Sequence, residues 1–584
     1  MGRRFQFNVR RSRMPPPLES EAQHLYQACF GWISRWPHTA LLLLTLICLL
    51  PFSGKAFHAD DPLFIRAAQQ ITRHPLDPYG FEIVWYPFQM PMSRVTQNPP
   101  LASYYMALVG SVAGWSERTL HFSFLLPALG VVLGTYRLAL RFTQRPLLAA
   151  AATLLTPGFL VSATGVMCDV MMLALWLLAT VFWMEGLDEP AKPFSLAISS
   201  LLITACALTK YFGVALVPLL LVYSLARKRR LESWIGFLLV PAILLGAYEL
   251  WSRALYGSGL LSHAVYYTRG MYRKNSEGLS TPARAVVGLA FAGGCTLPAL
   301  TFAPLLWTRK QAIAGGILSA LLGFSFFNGW VNLGTTYLDQ NFVLKHWEWV
   351  SLQLLFYCAG GISVLALAIV DFWKKRDAES LFLLLWIAGT FFFAAVLNWT
   401  VNARSLLPLA PAAAILIARR LDKTQPSLNG WRRMAWAVPL IVSGAFSLWV
   451  SSGDAALANT ARMAANFVHQ RTRNESGAVE FQGHWGFQYY MELFGARPLE
   501  QGVIASSPGD IIVVPANNTN RFKLAEETIL AASLEVEVRS RVTTMSPEVG
   551  AGFYSSLWGP LPFAIDPVPN ERYVIRRVIR RQSE

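Results

Sequence analysis

Five ionisable residues stand beside or inside long apolar runs, where charge is costly. Asp60 and Asp61 open the polar stretch after the first apolar run, and Asp169 interrupts "VMCDVMMLALW". Lys210 lies in "CALTKYFG" and Arg404 in "NWTVNARSLLP", each next to a further apolar run. Ionisable groups at membrane depth indicate function by default. Carboxylates beside cations at one depth would hold an acid/base group and an anionic leaving group together.

Each of these residues also has a structural interpretation. Asp60 and Asp61 would cap the helix that follows them, since Asp is favoured at N-caps. Asp169 would form a structural salt bridge, and Lys210 and Arg404 would extend their charged ends to the membrane interface. We predict the functional arrangement because the topology derived below puts all five at one face.

Composition places the chain in a membrane. Of its 584 residues, 54% are hydrophobic and 14% are charged, against roughly 25% charged residues in soluble proteins. The net charge of +16 comes from basic residues between apolar runs, which indicates membrane orientation and not nucleic-acid binding. The six cysteines show no CxxC spacing, so we expect neither a disulfide framework nor a zinc site.

The apolar runs predict about 13 membrane-spanning helices, each needing about 20 apolar residues. The predicted spans lie near residues 37–53, 120–140, 147–164, 166–184, 195–209, 211–226, 234–255, 284–306, 311–330, 350–370, 381–399, 405–418 and 434–451.

Basic residues in the short loops predict the orientation of the spans. With the N-terminal arm inside, counting spans forward puts every dense basic cluster inside. These clusters are Arg3, Arg4, Arg10, Arg11, Arg13 and Arg35; Arg141 and Arg145; residues 227–230; Arg309 and Lys310; residues 374–376; and Arg419, Arg420, Arg432 and Arg433. The odd total puts the C-terminal region outside.

The sequence therefore predicts an α-helical polytopic membrane protein with a small C-terminal α/β domain on the outer face. Residues 1–36 form a basic cytoplasmic arm, 37–452 the transmembrane catalytic domain with an outer loop at 54–119, and 453–584 the outer domain. In that domain "GAVEF", "GDIIVVP" and "LEVEVRS" are typical of strands, and "AALANTARMAANFVHQR" and "WGFQYYMELFG" of helices. Trp485, Tyr489 and Tyr490 are expected to be exposed and to stack on an acceptor glycan, or instead to pack against the membrane domain.

Five short motifs resemble those of one family of membrane enzymes. "FHADDPLFIRAAQQI" resembles the Asp-Glu-x-x-Tyr segment of the protein O-mannosyltransferase-like (family 39) GT-C glycosyltransferases, which include the lipid A aminoarabinose transferase. "NPPLASYY", "MCDVMML", "LTKYFG" and "ARSLLPLAPAAAIL" resemble further segments of that family, in the same order over about residues 38–450. Phe64 stands where the family often has Tyr, and Gln97 and Asn98 stand where the lipid A enzymes carry Glu and Lys. The chain thus resembles a general member of the superfamily.

The resemblance implies an enzyme of a bacterial inner or plasma membrane that acts outside the cytoplasm. Its donor would be a sugar on polyprenyl phosphate, and its acceptor a hydroxyl of a protein, lipid or glycan. Asp60 would be the general base, with Asp61 and Asp169 orienting it, and Lys210 and Arg404 would bind the donor phosphate. No nucleic acid is expected as a partner.

Further residues are candidates for substrate or metal contact. Asn98, His58, Tyr267 and Arg269 are candidate substrate-binding residues, although a solvated histidine is the simpler interpretation of His58. Tyr267 and Arg269 belong to a loop at 257–283 that would cover the site. A second outer loop at 331–349 carries Asp339, Lys345, His346 and Glu348. No cofactor is certain, but Asp60 and Asp169 are also candidate ligands of a divalent metal ion, since hard cations prefer oxygen ligands.

Three other functions remain open at this stage. A lipid-linked glycan polymerase or ligase would use Arg-rich outer loops and would not need an Asp pair after the first span. A membrane transporter also uses intramembrane charge but typically shows inverted repeats, and the two halves show no obvious one. A sensor whose outer domain binds the ligand would leave Asp169 unexplained.

Overall fold

The computed structural model describes residues 31–276, 280–327, 344–422, 436–503 and 506–580. Predictions for Arg3, Arg4, Arg10, Arg11 and Arg13 of the N-terminal arm, for Asp339 and for Arg432 and Arg433 lie outside these residues.

Helices dominate the chain up to residue 472. They are, in order, α1 (Pro37–Leu49), α2 (Asp61–Arg73), α3 (Met92–Val95), α4 (Leu101–Ala113), α5 (Glu117–Phe142), α6 (Pro146–Leu154), α7 (Pro157–Ala163), α8 (Cys168–Gly186), α9 (Pro193–Thr209), α10 (Leu216–Lys228), α11 (Trp234–Tyr256), α12 (Leu260–Ser276), α13 (Thr281–Cys295), α14 (Pro298–Thr301), α15 (Ala303–Leu306), α16 (Arg309–Phe327), α17 (Trp347–Lys375), α18 (Ala378–Phe392), α19 (Ala403–Leu406), α20 (Leu409–Leu421) and α21 (Ala437–Thr472). A hairpin of β1 (Glu82–Val84) and β2 (Gln89–Pro91) lies within the loop at 54–119, for which we keep the name outer loop after its predicted side.

Several of these helices make the chain an integral, multi-pass membrane protein. Within the described residues seven helices are long and apolar enough to cross a membrane. They are Glu117–Phe142, Cys168–Gly186, Tyr211–Lys228, Trp234–Tyr256, Trp347–Lys375, Ala378–Leu397 and Ala437–Thr472. Helices α6 and α7, bent by 61° at their junction, would together make an eighth. The predicted total of about 13 spans stays a prediction.

Prolines account for the broken segments. The predicted spans 147–164, 284–306 and 405–418 are each divided into shorter helices, and Pro157, Pro298 and Pro408 stand at these divisions. Proline has no N–H to donate and disfavours a helical conformation in the residue before it. Apolar composition alone predicts one continuous helix at each of these three places, whereas the structure has shorter helices divided at a proline.

Ion pairs join the helix ends that carry the basic clusters. They are Arg141–Asp188, Arg145–Asp422, Arg227–Glu379, Lys228–Glu189 and Arg419–Asp371. These pairs link the ends of α5, α8, α10, α17, α18 and α20, so the basic residues that take part in them lie at one end of the bundle. Asp169 lies at the other end of α8, 16 residues before Glu185, a rise of about 24 Å along a helix.

The C-terminal region forms a mixed sheet. Its elements are β3 (Val479–Phe481), α22 (Trp485–Leu493), β4 (Arg497–Pro498), β5 (Ile511–Pro515), β6 (Glu527–Val536), β7 (Val542–Thr543), β8 (Met545–Ser546), β9 (Ala551–Gly552), β10 (Ala564–Ile565) and β11 (Glu571–Arg580). The five-stranded sheet has the order β4-β3-β5-β11-β6, with β3 parallel to β4 and β5 and β11 antiparallel to both its neighbours. The helix α22 and the strands β3 and β5 match the sequence prediction. The third predicted strand forms the last part of β6, and β11 was not predicted.

Helix α21 runs through the boundary predicted between residues 452 and 453. Its 36 residues join the last apolar run to the helix predicted in the outer domain. At Gly453 a Cβ atom would lie 2.2 Å from the carbonyl oxygen of Val542, so glycine allows β7 to pack directly on the helix. The C-terminal region is thus docked along α21.

Candidate active site

The outer loop places Asp60 at the start of α2 without using it as a cap. Ala59 has a positive φ of 45°, which turns the chain into the helix. Asp60 occupies the N-cap position but makes no side-chain capping bond. Its carboxylate instead accepts a hydrogen bond from Arg404, at 2.9 Å. The capping interpretation of Asp60 is therefore wrong.

Asp61 fastens the outer loop to the turn before α8. Its side chain is fully buried, and its two carboxylate oxygens accept the backbone N–H groups of His58, at 2.9 Å, and Val166, at 3.0 Å. Burial raises the pKa of Asp61 to about 6, although Lys55 and the two N–H donors act in the opposite direction. Asp61 therefore holds two segments of the site together.

Arg404 is held by three different groups. One guanidinium nitrogen donates to Asp60, another contacts the sulfur of Met167 at 2.7 Å, and the ring of Tyr554 lies 5.5 Å away. The Nε atom is buried and has no hydrogen-bond partner within the described chain. Burial disfavours the charged form, but Asp60 and Asp169 raise the pKa of Arg404 above its usual range. The guanidinium therefore stays charged, and its Nε–H has no partner among the described residues.

Asp169 and Lys210 form the second ion pair of the site. Lys210, which ends α9, donates to the carboxylate of Asp169 at 2.5 Å. Asp169 lies in the first turn of α8, where the helix dipole favours an acidic group. Its side chain is 3% exposed, whereas that of Lys210 is 19% exposed. Lys210 therefore lies between Asp169 and the open side of the site.

The two ion pairs form one group, which we call the charge cluster: Asp60, Asp169, Lys210 and Arg404. Arg404 interacts electrostatically with both carboxylates, and Asp169 with both cations. The side chain of Asp60 is 32% exposed and that of Arg404 is 16% exposed. The cluster has zero net charge, and Asp60 is its most accessible carboxylate.

Two candidate substrate-binding residues, Asn98 and His58, lie beside the charge cluster. The side-chain oxygen of Asn98 is 3.7 Å from the sulfur of Cys168, the neighbour of Asp169. His58 packs edge-on against Tyr554, with ring centroids 5.1 Å apart. The histidine is buried, and burial lowers its pKa to about 4. The interpretation of His58 as a solvated histidine is therefore wrong.

The other loop candidates have different surroundings. On α12, the hydroxyl of Tyr267 lies 3.1 Å from that of Tyr86, and its ring packs near Trp399. Arg269, two residues later, is exposed. Lys345 pairs with Glu548 at 2.5 Å and His346 with Asp566 at 2.9 Å. The second outer loop thus contributes these two residues to the docking of the C-terminal region.

The aromatic residues of α22 pack against the outer loop. Tyr490 is buried, and its hydroxyl accepts the N–H of Phe57 at 2.9 Å and donates to Glu117. Tyr489 packs edge-on against Phe57, and Trp485 packs on Trp558. These contacts agree with the alternative of packing against the membrane domain and not with exposure, because α22 docks directly on the loop that carries Asp60.

Sequence reasoning missed a further ion pair, which is fully buried. Lys55 donates to Asp454 at 2.5 Å, and the two side chains are 1% and 0% exposed. Lys55 follows the first apolar run, and Asp454 interrupts the last one. An acidic residue next to an apolar run is the signal that identifies Asp169, and the same signal singles out Asp454, although not its partner Lys55.

The charge cluster does not fit a metal ion. In the described parts of the chain no three His, Cys, Asp or Glu side chains come close enough to hold one. Asp60 and Asp169, the predicted ligands, are each paired with a cation. Positive charge already occupies the positions beside both carboxylates, so we assign no step to a metal.

Comparisons with known proteins relate the chain to glycosyltransferases. Residues 97–251 match the family described as dolichyl-phosphate-mannose-protein mannosyltransferase. No protein of curated function matches the chain by sequence.

Three solved structures are similar to the chain at low identity. The Archaeoglobus fulgidus oligosaccharyltransferase is 14% identical with a TM-score of 0.46, over 81% of this chain and 65% of that protein. ArnT from Cupriavidus metallidurans, solved with undecaprenyl phosphate, is 14% identical with a TM-score of 0.43, over 83% and 93%. The arabinofuranosyltransferase AftD from Mycobacteria is 12% identical with a TM-score of 0.38, over 92% and 41%. The chain thus spans about 65% of the length of the archaeal enzyme.

The matched family segment contains Asn98, Asp169 and Lys210. The resemblance to protein O-mannosyltransferase-like GT-C membrane glycosyltransferases, predicted from short motifs, is thereby confirmed over residues 97–251.

Proposed function

We propose that this protein is a membrane glycosyltransferase that moves a sugar from a polyprenyl-phosphate donor to an acceptor hydroxyl on the outer face of the membrane. The observation that carries the proposal is the charge cluster. Two carboxylates and two cations from four separate segments meet at the end of the bundle opposite the basic clusters. Such a group supplies both a base for the acceptor and cations for the leaving phosphate.

Lys210 and Arg404 would stabilise the leaving group. As the bond between the anomeric carbon and the phosphate oxygen breaks, its electron pair passes to the phosphate, which becomes a monoester with additional negative charge. Cations held in place before the reaction stabilise such charge most where water is excluded. The free Nε–H of Arg404 offers a further donor to an incoming phosphate oxygen, and Arg is suited to bidentate phosphate contact.

Asp60 would be the general base. It is the most accessible carboxylate of the charge cluster, at 32% exposure, whereas Asp169 lies behind Lys210 and both oxygens of Asp61 are occupied by backbone N–H groups. The acceptor oxygen would attack the anomeric carbon while its proton passes to Asp60, giving inversion. Asp169 would position Lys210, and Asp61 would position the loop that carries Asp60.

Membrane vesicles with the purified full-length chain would test this proposal on a panel of undecaprenyl-phosphate sugars, measuring sugar release. Asp60→Asn should reduce turnover by about 10²–10⁴-fold, the usual contribution of general base catalysis. Asp169→Asn should also reduce turnover, because Lys210 would lose its partner. Asp77→Asn is the matched control, since this outer-loop carboxylate is bonded to Tyr256 at 2.8 Å and lies outside the charge cluster.

Normal turnover in both Asp60→Asn and Asp169→Asn would remove the carboxylate mechanism. Equal losses in these variants and in Asp77→Asn would instead show a general effect of changing the outer loop. A reporter enzyme fused to the C-terminus tests the orientation separately, since the proposal requires it to be active outside the cytoplasm.

A further inference from the structure

We propose that Tyr554, in the C-terminal region, is a positioning residue for Arg404 and that the buried pair Lys55–Asp454 holds it in place. The inference rests on the proposed function, because it concerns the cation assigned to the donor phosphate. It makes the C-terminal region part of the active site and not a separate outer domain.

Tyr554 connects the charge cluster to the buried ion pair. Its ring lies 5.5 Å from the guanidinium carbon of Arg404, within the range of a cation–π contact. Its hydroxyl donates to the two carboxylate oxygens of Asp454, at 3.0 and 3.1 Å. The side chain is 7% exposed, and His58 packs edge-on against the same ring. The ring therefore has little freedom to move away from Arg404.

Asp454 is bonded from several directions. Besides Tyr554 it accepts hydrogen bonds from Lys55 and from Thr544, both at 2.5 Å. Lys55 also donates to Thr164, at 3.3 Å, in the segment just before α8. Buried charges of this kind are retained only when paired and hydrogen-bonded. The pair thus fixes the relative position of the outer loop, α21, the segment before α8 and the C-terminal region.

The backbone that carries Tyr554 is bonded to the backbone that carries Arg404. The N–H of Ala403 donates to the carbonyl of Phe553 at 2.9 Å, and the N–H of Ser556 donates to the carbonyl of Val401 at 2.8 Å. The hydroxyl of Thr400 also lies 2.9 Å from that of Ser555. The segment 553–556 therefore lies along residues 400–403, directly before Arg404.

These contacts give the C-terminal region a specific task. Arg404 uses one nitrogen for Asp60 and keeps its Nε free, so its orientation decides whether that donor meets the phosphate. The ring of Tyr554 restricts the guanidinium, and Asp454 restricts the ring. Loss of the Tyr554 hydroxyl should leave the fold intact but loosen Arg404, weakening phosphate binding more than stability.

Affinity for undecaprenyl phosphate, measured with the full-length protein in lipid nanodiscs, tests this inference. Tyr554→Phe should weaken binding by about tenfold, the equivalent of roughly one lost hydrogen bond, and Arg404→Ala should weaken it at least as much. Tyr573→Phe is the matched control. This buried tyrosine also contacts α21, through Thr460 at 3.4 Å, but it belongs to strand β11 of the five-stranded sheet. It should leave the affinity unchanged. Melting temperatures of all variants separate loss of fold from loss of binding.

A second test uses the ion pair. Asp454→Asn alone leaves Lys55 buried without its counter-ion and should lower the melting temperature strongly. Adding Lys55→Gln removes the unpaired charge, and the double variant should recover stability while binding undecaprenyl phosphate more weakly than wild type.

The outcomes distinguish this inference from the proposed function. If wild type and Arg404→Ala bind undecaprenyl phosphate equally, the role proposed for Arg404 fails. If Arg404→Ala binds weakly but Tyr554→Phe binds as tightly as wild type, only the role of Tyr554 is overturned. Equal weakening in Tyr554→Phe and Tyr573→Phe would also overturn it, since a general loosening of the C-terminal region would then suffice.

Discussion

Asp169→Asn should make the protein less stable and yet bind undecaprenyl phosphate more tightly. Asp169 is buried and neutralises Lys210 at 2.5 Å. Replacing it with the neutral amide leaves the lysine without a counter-charge, which costs about 3 kcal/mol of stability for a buried pair. The same change gives the charge cluster a net charge of +1, which favours an anionic ligand.

The size of the gain follows from the geometry. A phosphate oxygen that contacts Lys210 on its open side would lie about 3 Å from Nζ and so about 5.5 Å from the Asp169 carboxylate. At an effective dielectric constant of about 20, the repulsion removed is roughly 3 kcal/mol. Lys210 is partly exposed, at 19%, so screening reduces this to about 1.5 kcal/mol, or roughly tenfold in affinity.

Binding isotherms in nanodiscs and melting temperatures would be measured for Asp169→Asn, Lys210→Gln and the double variant. Lys210→Gln should bind more weakly than wild type, and the double variant should fall between the two single ones. Glu185→Gln is the control, because this residue is also on α8 and paired with a cation but lies about 24 Å away at the other end of the helix. Unchanged or weaker binding in Asp169→Asn would refute the charge-balance reasoning. Unchanged binding in Lys210→Gln would instead assign the lysine to a contact with the membrane interface.

Three further predictions concern pH, packing and metals. Burial lowers the pKa of His484 to about 4, so the folded protein binds this proton less readily than the unfolded chain. The contribution of His484 to stability should be complete above about pH 6.5 and fall by about 3 kcal/mol towards pH 4. Thermal unfolding between pH 4 and 7 should show a shallower fall in His484→Asn and the same fall in His74→Asn, an exposed control. Gly486→Ala should lower the melting temperature and sugar release, because its Cβ would lie 2.0 Å from the carbonyl oxygen of Phe57. Overpacking of this kind costs roughly 1–3 kcal/mol. The control Gly389→Ala should be tolerated, since nothing lies within 4 Å of its Cβ. Sugar release should persist in excess EDTA. If EDTA abolishes sugar release and Mg²⁺ or Mn²⁺ restores it, the proposal that Lys210 and Arg404 stabilise the leaving phosphate without a metal ion is contradicted.

The residues of the charge cluster could be selected from sequence because burial makes charge conspicuous. Asp169 and Lys210 interrupt apolar runs, and a membrane protein keeps such groups only if they are paired. The sequence did not, however, indicate which of these residues form pairs. Lys210 is 41 residues from Asp169, and Arg404 is 344 residues from Asp60, and no local pattern connects residues so far apart.

The continuity of the helices was less predictable than their existence. Apolar composition indicates that a segment is buried or crosses the membrane, but prolines decide whether it stays one helix. A different case is α21, where a change from apolar to polar composition predicts a domain boundary and the backbone remains helical through it. The predicted boundary places Asp454 in the outer domain, and no local pattern connects it with its partner Lys55, 399 residues earlier.

The unequal exposure of the two ion pairs suggests how a site with no net charge can bind an anion. An unpaired lysine or arginine at this depth would be costly before the substrate arrives, so each cation is held by a carboxylate. Asp169, at 3% exposure, keeps its place behind Lys210, and the lysine meets the phosphate from the other side. Asp60, at 32% exposure, is free to exchange its contact with Arg404 for one with the acceptor hydroxyl. On that reasoning the buried acid maintains the cation and the accessible acid takes the proton, so Asp60→Asn should impair turnover by removing the base, although it gives the charge cluster the same net charge of +1 as Asp169→Asn.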